Sequence, residues 1–536
     1  MRTADAVPVS GEEMEGLRRR VEARQLLDSD FLLLGNILAT VHQIGLFLQK
    51  KRASIRRLKQ MLFGAPTEKT ETVVGMEARE NPPKAKGKGH GRRRSQEYWG
   101  ASRQQVPHPD LQVGQRCPEC ARGNLYEMKV PSVQMWFTAV APIQATALEC
   151  QRLRCSGCGI VFTASPPPQA MQKYDPSVGS IISLLRYGNG MPHYRLGQLQ
   201  RSLGVPLPPS VQWELVLRKA ESCGVMIYAA FFRHAAQGQL MYLDDTKMRV
   251  IMAMVRRSIC LSIAIGENPD SLAHGTKRIY TTAIVSTTEE RQIVVYVTGK
   301  RQAGENMDRL LARRASDLDS PIQMCDGLQH NVPKQFQVIL ANCNSHARRR
   351  FVDLEEICHR EVEIVLYSFL CVYANEEQAM TKKLSPQERL SFHQQRSGFV
   401  MEGLRAWMSA QMDSKKVEPN SELGQAFSYF IKHWQALTLF LRVPGAPLDN
   451  NLCERILKRA IMHRKNSMFY LTPTGALVGD IFMSIIATCV LNKVNPFQYL
   501  TEIEKHAAEV RADPDSWLPW NYLQRLITPS AQSAPA

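Results

Sequence analysis

The chain has 536 residues, 44% of them hydrophobic, with a formal net charge of +17 and a pI near 9.3. That length supports several domains and a large buried core, and the composition excludes a disordered, collagen-like or disulfide-dense chain. The positive charge is spread over several segments, which points to an acidic partner, nucleic acid first, rather than to a membrane surface.

Residues 1–16 lack the apolar core of a signal peptide. No run reaches the roughly 18–20 apolar residues of a membrane span. A cytoplasmic protein is expected, and its 13 cysteines then matter only where they cluster.

In chain order, residues 10–64 are expected to be helical. Leu27, Phe31, Leu34, Leu38, Val41, Ile44, Leu48, Ile55, Leu58 and Leu62 recur mostly three and four apart, a coiled-coil-like seam interrupted at Gly35 and Gly45. Self-association and a hairpin packed on its own chain both fit that seam. Residues 65–112 form a polar linker carrying Lys84, Lys86, Lys88, Arg92, Arg93 and Arg94 without apolar periodicity. Such a linker touches phosphates or merely solvates the chain. Residues 113–165 hold clustered cysteines. Residues 170–235 are expected to be helical, with Pro192 and a turn at Gly204, as in a helix-turn-helix-like element.

From residue 238 to 490 the pattern changes. Strands are expected at 239–244, 248–255, 279–286, 291–298, 320–325 and 336–341, with a helix over 304–315. A long helical stretch over about 347–443 follows, then a helix opened by Pro447, Leu448, Asp449 and Asn450. This is an α/β core interrupted by a helical insertion. Residues 491–536 are a C-terminal tail. The fold class is therefore multidomain α+β.

Cys117 with Cys120, and Cys155 with Cys158, are two C-x-x-C knuckles. Each puts two thiolates on one turn, and together they complete the four-sulfur cage that Zn²⁺ prefers, as in a zinc ribbon. A closed site of this kind is structural. Cys150 is left as a strand residue.

Asp244 and Asp245 close one apolar run and Asp326 closes another, so carboxylates converge at one edge of a sheet. Glu454 lies on a helix among Arg455, Lys458, Arg459, Arg464 and Lys465. Alone, Glu454 is a surface acid pairing with Lys458 one turn on. With Asp244 and Asp326 it makes a cluster whose self-repulsion two Mg²⁺ ions would resolve.

The motifs, in order, resemble those of bacterial transposases of the insertion-sequence-66 family, of the acidic-triad (DDE) class. Leu62-Phe63-Gly64 with Glu68 and Lys69 is similar to the family's N-terminal signature, and the double knuckle to its zinc-binding domain. Pro192, Tyr194 and Arg195 fall in its helical segment. Asp244-Asp245-Thr246 and Asp326-Gly327 resemble the first two acidic motifs. Cys343, His346, Arg348 and Arg349 resemble its C-x-x-H-A-R element. Asp449-Asn450-Asn451, Glu454-Arg455 and Arg464-Lys465-Asn466 resemble the third acidic motif, and Leu518-Pro519-Trp520-Asn521 the closing one. The resemblance covers roughly residues 15 to 523. Ala65-Pro66-Thr67 departs from the more basic family pattern, Asp245 stands where Glu is frequent, and Leu328 replaces an aromatic.

The resemblance implies an RNase H-like catalytic domain in which Asp244, Asp326 and Glu454 hold two catalytic Mg²⁺, beside one structural Zn²⁺. It implies DNA cleavage at the element's ends and strand transfer into a target. Arg455, Lys458, Arg459, Arg464, Lys465 and Asn466 would contact DNA, as would the basic linker, while Asp245, Cys343 and His346 would support the site. Implied partners are terminal inverted repeats, target DNA and further copies of the chain, with room for small accessory transposition proteins. No membrane partner is implied, and the expected place is the bacterial cytoplasm, at the nucleoid. The rival readings are a catalytically inactive transposase-derived sequence-specific DNA-binding protein, which would not need the acids, and a structure-specific nuclease that cuts without joining.

Overall fold

The computed structural model describes residues 172–251, 278–288 and 290–527, together with 142–154, 161–165 and shorter stretches nearer the N-terminus. The seam from Leu34 to Leu62, the basic run from Lys84 to Arg94 and all four knuckle cysteines lie outside the described residues. Near the start, residues 19–21 and 28–31 are helical with a turn at residue 23 between them, so the expected helix is interrupted there. Arg20 reaches across this break to Asp30 at 2.8 Å, and Asp30 accepts the Leu27 amide.

Two short strands, β1 (Arg152–Arg154) and β2 (Val161–Thr163), pair antiparallel with Arg154 opposite Val161. Four helices follow: α1 (Pro176–Ser183), α2 (His193–Ser202), α3 (Pro209–Lys219) and α4 (Val225–Ala235). Pro192 precedes α2, and Gly204, at a φ of +77° that glycine adopts without strain, follows it.

The central sheet comprises β3 (Leu240–Met248), β4 (Ile279–Thr287), β5 (Gln292–Gly299), β6 (Ile322–Cys325) and β7 (Ile339–Asn342). Its order is β5-β4-β3-β6-β7. β4 runs antiparallel to both β3 and β5, and β6 and β7 join parallel to β3. β4 and β5 are buried along almost their whole length. Helices cover both faces, which is why these strands read as continuous apolar runs rather than alternating ones.

Longer helices further along are α5 (Ala303–Leu311), α6 (Asn344–Val352), α7 (His359–Thr381), α8 (Pro386–Arg396), α9 (Gly398–Asp413), α10 (Glu422–Lys432), α11 (Asn451–Ser467), α12 (Pro473–Leu491) and α13 (Pro496–Lys505). Several starts carry one signal, a capping side chain followed by proline: Asp175-Pro176, Ser385-Pro386, Thr472-Pro473 and Asn495-Pro496. The cap satisfies a free amide, and proline lacks the amide that would be orphaned. The expected helix over 304–315 ends earlier, at Leu311, and residues 249–251 leave the strand expected over 248–255.

α6–α10 enclose a second apolar core around Phe351, Phe369, Phe427 and Phe430. α13 in the tail packs on α1, where fully buried Lys219 bonds the carbonyls of Pro176 and Leu500 and pairs with Glu504 at 2.6 Å.

α12 carries the most consequential pattern. By length and composition it could cross a membrane, contrary to the expectation that no segment could, yet 78% of its most apolar window is buried inside the protein. Asp480, Ser484 and Thr488 recur every fourth position along it, and Asn492, just past its end, continues the series. Asp480, Ser484, Thr488 and Asn492 accept the outward amides of Thr298 (2.6 Å), Tyr296 (2.9 Å), Val294 (3.0 Å) and Gln292 (3.2 Å). Four residues of helix advance about 6 Å and two of strand about 6.7 Å, so the two ladders keep step. The exposed edge of β5 is thereby closed. Asp480→Ala leaves the Thr298 amide and hydroxyl without this acceptor. Urea denaturation is expected to register a loss of about 2–3 kcal/mol, against about 1 for Ser484→Ala.

Candidate active site

The register of β3 and β6 explains how two distant acids meet. Tyr242 pairs with Met324. Two residues further along each strand, on the same face, come Asp244 and Asp326. Asp326 directly follows β6, as expected. Asp244 does not end its strand, because β4 pairs with all of β3 from Leu240 to Met248 and sets Asp244 opposite Ala283 in its middle.

The third acid arrives on α11, fixed by two contacts from its start. Asn450 is fully buried and donates its side-chain amide to the Leu243 carbonyl at 2.9 Å, next to Asp244. Cys453 Sγ donates to the Ala283 carbonyl at 3.3 Å. Glu454, the next residue, faces the strand acids. Asn450 was expected only to start the helix; its side chain makes no cap and serves as a clamp instead.

The electrostatics record the convergence. The pKa of Asp244 is pushed up to about 7, first by burial, then by the nearby Asp326, Glu454 and Asp245 carboxylates, against one bond from the Asp245 amide. Asp326 accepts the Leu328 amide at 3.1 Å and the side-chain amide of Asn331. Glu454 faces His346, with Oε1 at 3.5 Å from Nδ1. Among the described residues no ion pair joins it to Lys458, which is exposed. Asp245 points to the other face, where it accepts the first amide of α5 at Ala303, and burial raises its pKa. Beside it opens a cleft of about 370 Å³, lined among others by Thr246, Lys247, Tyr280, His330 and Arg464.

The insertion braces this site. The ring of Tyr429 on α10 packs so closely on Gly327 that a Cβ there would lie 2.2 Å from its hydroxyl. Arg350 lies over the same ring at 3.9 Å. His433 bonds Asn342 at 3.1 Å, and Asn342 donates to the Asp326 carbonyl at 3.3 Å. Arg389 on α8 holds the Ala446 carbonyl in the loop before α11. Nothing near Asp326 or Glu454 in sequence signals Tyr429, His433 or Arg389.

On α11, Arg455, Lys458 and Lys465 are exposed along one face, while Cys453, Ile456, Leu457, Ala460 and His463 are buried on the other. Arg459 is half-buried. Arg464 bonds Thr246 Oγ1 at 2.9 Å and the Lys247 carbonyl, and Asn466 bonds the Gly190 carbonyl at 3.1 Å. These two hold the helix to β3 and to the turn before α2. Cys343 lies just before α6, buried, with its sulfur accepting the Asn450 amide at 3.2 Å.

A sheet-borne pair of acids is thus joined by one from a helix whose exposed face is basic. The family model for transposases of the IS66 family matches residues 172–477, more than half of the chain. The chain belongs to the IS66 transposase family. The uncharacterized protein y4jD of Sinorhizobium fredii (strain NBRC 101917 / NGR234) is 22% identical over 521 residues, covering 90% of this chain and 96% of the relative. A second protein of that strain, the uncharacterized y4hP, is 25% identical over 227 residues, covering 40% of this chain and 41% of the relative.

A raised carboxyl pKa fixes the sign of the pH response. The folded state holds the Asp244 proton more tightly than the unfolded chain, so its contribution is greatest below the unfolded value and is lost as pH rises from about 4 towards about 7. Metal-free protein should lose stability across that window. Asp244→Asn should flatten the loss and raise the melting temperature at neutral pH, read by thermal denaturation in chelator at stepped pH. An unchanged profile would contradict the assignment.

Proposed function

We propose that this chain is a transposase that cleaves DNA at the ends of an insertion sequence and transfers the freed strand into target DNA, with Asp244, Asp326 and Glu454 as its catalytic acids. The observation that carries the reading is the convergence of these three carboxylates from neighbouring parallel strands and one helix. Three antiparallel strands followed by two parallel ones support an RNase H-like core. Family membership supports DNA as the partner.

The donor set suits Mg²⁺: three carboxylates offer hard oxygen ligands, and their uncompensated charge favours a divalent cation. Two ions would be held by Asp244 and Asp326, with Glu454 on one of them. When bound, they would activate the attacking hydroxyl and stabilise the leaving oxygen of an in-line displacement. The chain's own residues do the positioning. Asn450 fixes the height of Glu454 over Asp244. Asn331 and the Leu328 amide orient the Asp326 carboxylate. Arg455, Lys458 and Lys465 would hold flanking phosphates, contacts that place DNA without reading its sequence. The basic linker from Lys84 to Arg94 would add to that grip. The α2–α3 pair and the cysteine module are the elements proposed to read the terminal repeats, and bringing two DNA ends together requires at least two copies of the chain.

A structural Zn²⁺ on Cys117, Cys120, Cys155 and Cys158 is part of the same proposal. Its support is local: β1 and β2 pair on either side of residues 155–160, and Arg116 bridges Asn124 on either side of the first knuckle.

Asp244→Asn, Asp326→Asn and Glu454→Gln should each abolish Mg²⁺-dependent cleavage of an element-end duplex while mobility-shift binding survives. Undiminished strand transfer in all three would overturn the acid assignment. Wild-type protein that binds ends but never cuts would favour the non-catalytic DNA-binding derivative. For the zinc module, the Cys117→Ser, Cys155→Ser double variant should carry about one Zn²⁺ fewer per chain than wild type by atomic absorption. Equal zinc in both proteins refutes it.

A further inference from the structure

Cys343 and His346 reach the third of the clustered acids, Glu454. Cys343 directly precedes α6 and His346 lies in its first turn. That turn faces the first turn of α11, and ligand atoms of Cys343, His346 and Glu454 lie within 4.8 Å of one another. His346 Nδ1 and Glu454 Oε1 are 3.5 Å apart. Both atoms are buried, and neither has a hydrogen-bond partner. Two polar atoms left facing each other in this way suit an ion between them. Nitrogen and oxygen ligands of a tetrahedral Zn²⁺, each roughly 2.0–2.1 Å from the metal, are separated by roughly 3.4 Å. The sulfur already accepts the Asn450 amide at 3.2 Å, the kind of outer bond that supports a thiolate ligand.

We propose that Cys343, His346 and Glu454 form an inhibitory site for Zn²⁺ or a cation of similar softness. The inference rests on reading Glu454 as the third catalytic acid. Sulfur and imidazole select such a cation over Mg²⁺, which prefers oxygen alone. Occupancy forms one bond each to sulfur, nitrogen and oxygen and releases the thiol proton to solvent. It draws the Glu454 carboxylate towards α6 and places positive charge beside the Asp244–Asp326 pair, which disfavours a second cation there. The site is distinct from the cysteine knuckles, whose four sulfurs leave no shared catalytic ligand.

The test uses the full chain, stripped with chelator, and Co²⁺ as the spectroscopic probe. Wild type should bind one more thiolate-coordinated Co²⁺ than Cys343→Ala, read from the sulfur-to-cobalt charge-transfer absorbance. His346→Gln should weaken that extra equivalent by roughly 10-fold or more. Zn²⁺ should inhibit Mg²⁺-dependent cleavage by wild type at concentrations roughly 10-fold below those needed for His346→Gln. Circular dichroism checks that each variant is folded, and Cys343→Ser replaces Cys343→Ala if the latter is not. Equal Co²⁺ uptake by wild type and the folded cysteine variant overturns the site. An extra equivalent without a difference in Zn²⁺ inhibition overturns its inhibitory role. If wild type never cleaves, the catalytic reading fails while the Co²⁺ titration still decides the metal site.

Discussion

Carboxylates set side by side on adjacent strands, about 4.8 Å apart, repel each other once ionised. The fold holds Asp244 beside Asp326 against that repulsion, and much of the surrounding structure serves to do so. The parallel register of β3 and β6 makes the juxtaposition unavoidable, because a slip of one residue would turn one acid to the opposite face. Neutralising Asp244 would make the metal-free protein more stable, the pattern expected where a cluster of acids is kept at a cost to stability.

Seen from those acids, the helical insertion is a part of the site's frame. It separates Asp326 from Glu454 in sequence and rejoins them in space. Tyr429 fills the place a side chain at residue 327 would take, and His433 reaches the Asp326 backbone through Asn342. Asn344 ties the start of α6 to the carbonyls of Leu437 and Leu448, at the far end of the insertion. Loosening α10 would therefore reach both Asp326 and Glu454 without touching either carboxylate.

Much of this was legible in the sequence where local signals are strong. The apolar runs gave five strands close to their observed positions, proline after a capping residue marks four helix starts, and the three acids come together as their motifs implied. What was not legible depends on long-range hydrogen bonds, which leave no periodicity. Asp244 was expected at a strand end because the apolar run closes there, yet β4 extends the pairing beyond it. Taken alone, Glu454 reads as a partner for Lys458 one turn along; in the fold it faces His346 from another helix. Arg464 and Asn466 resembled DNA contacts, and their side chains also hold α11 in place. The polar residues of α12 drew no expectation, because their partners lie on β5, far away in the chain.

That last pairing carries a consequence for the chain as it is made. Thr298 leaves the ribosome 182 positions before the Asp480 that closes its edge. Until α12 is synthesised and docks, β5 presents a row of unsatisfied amides to any neighbouring chain. The nascent protein thus passes through an interval in which its own sheet is a template for aggregation. The late polar ladder on α12 ends that interval.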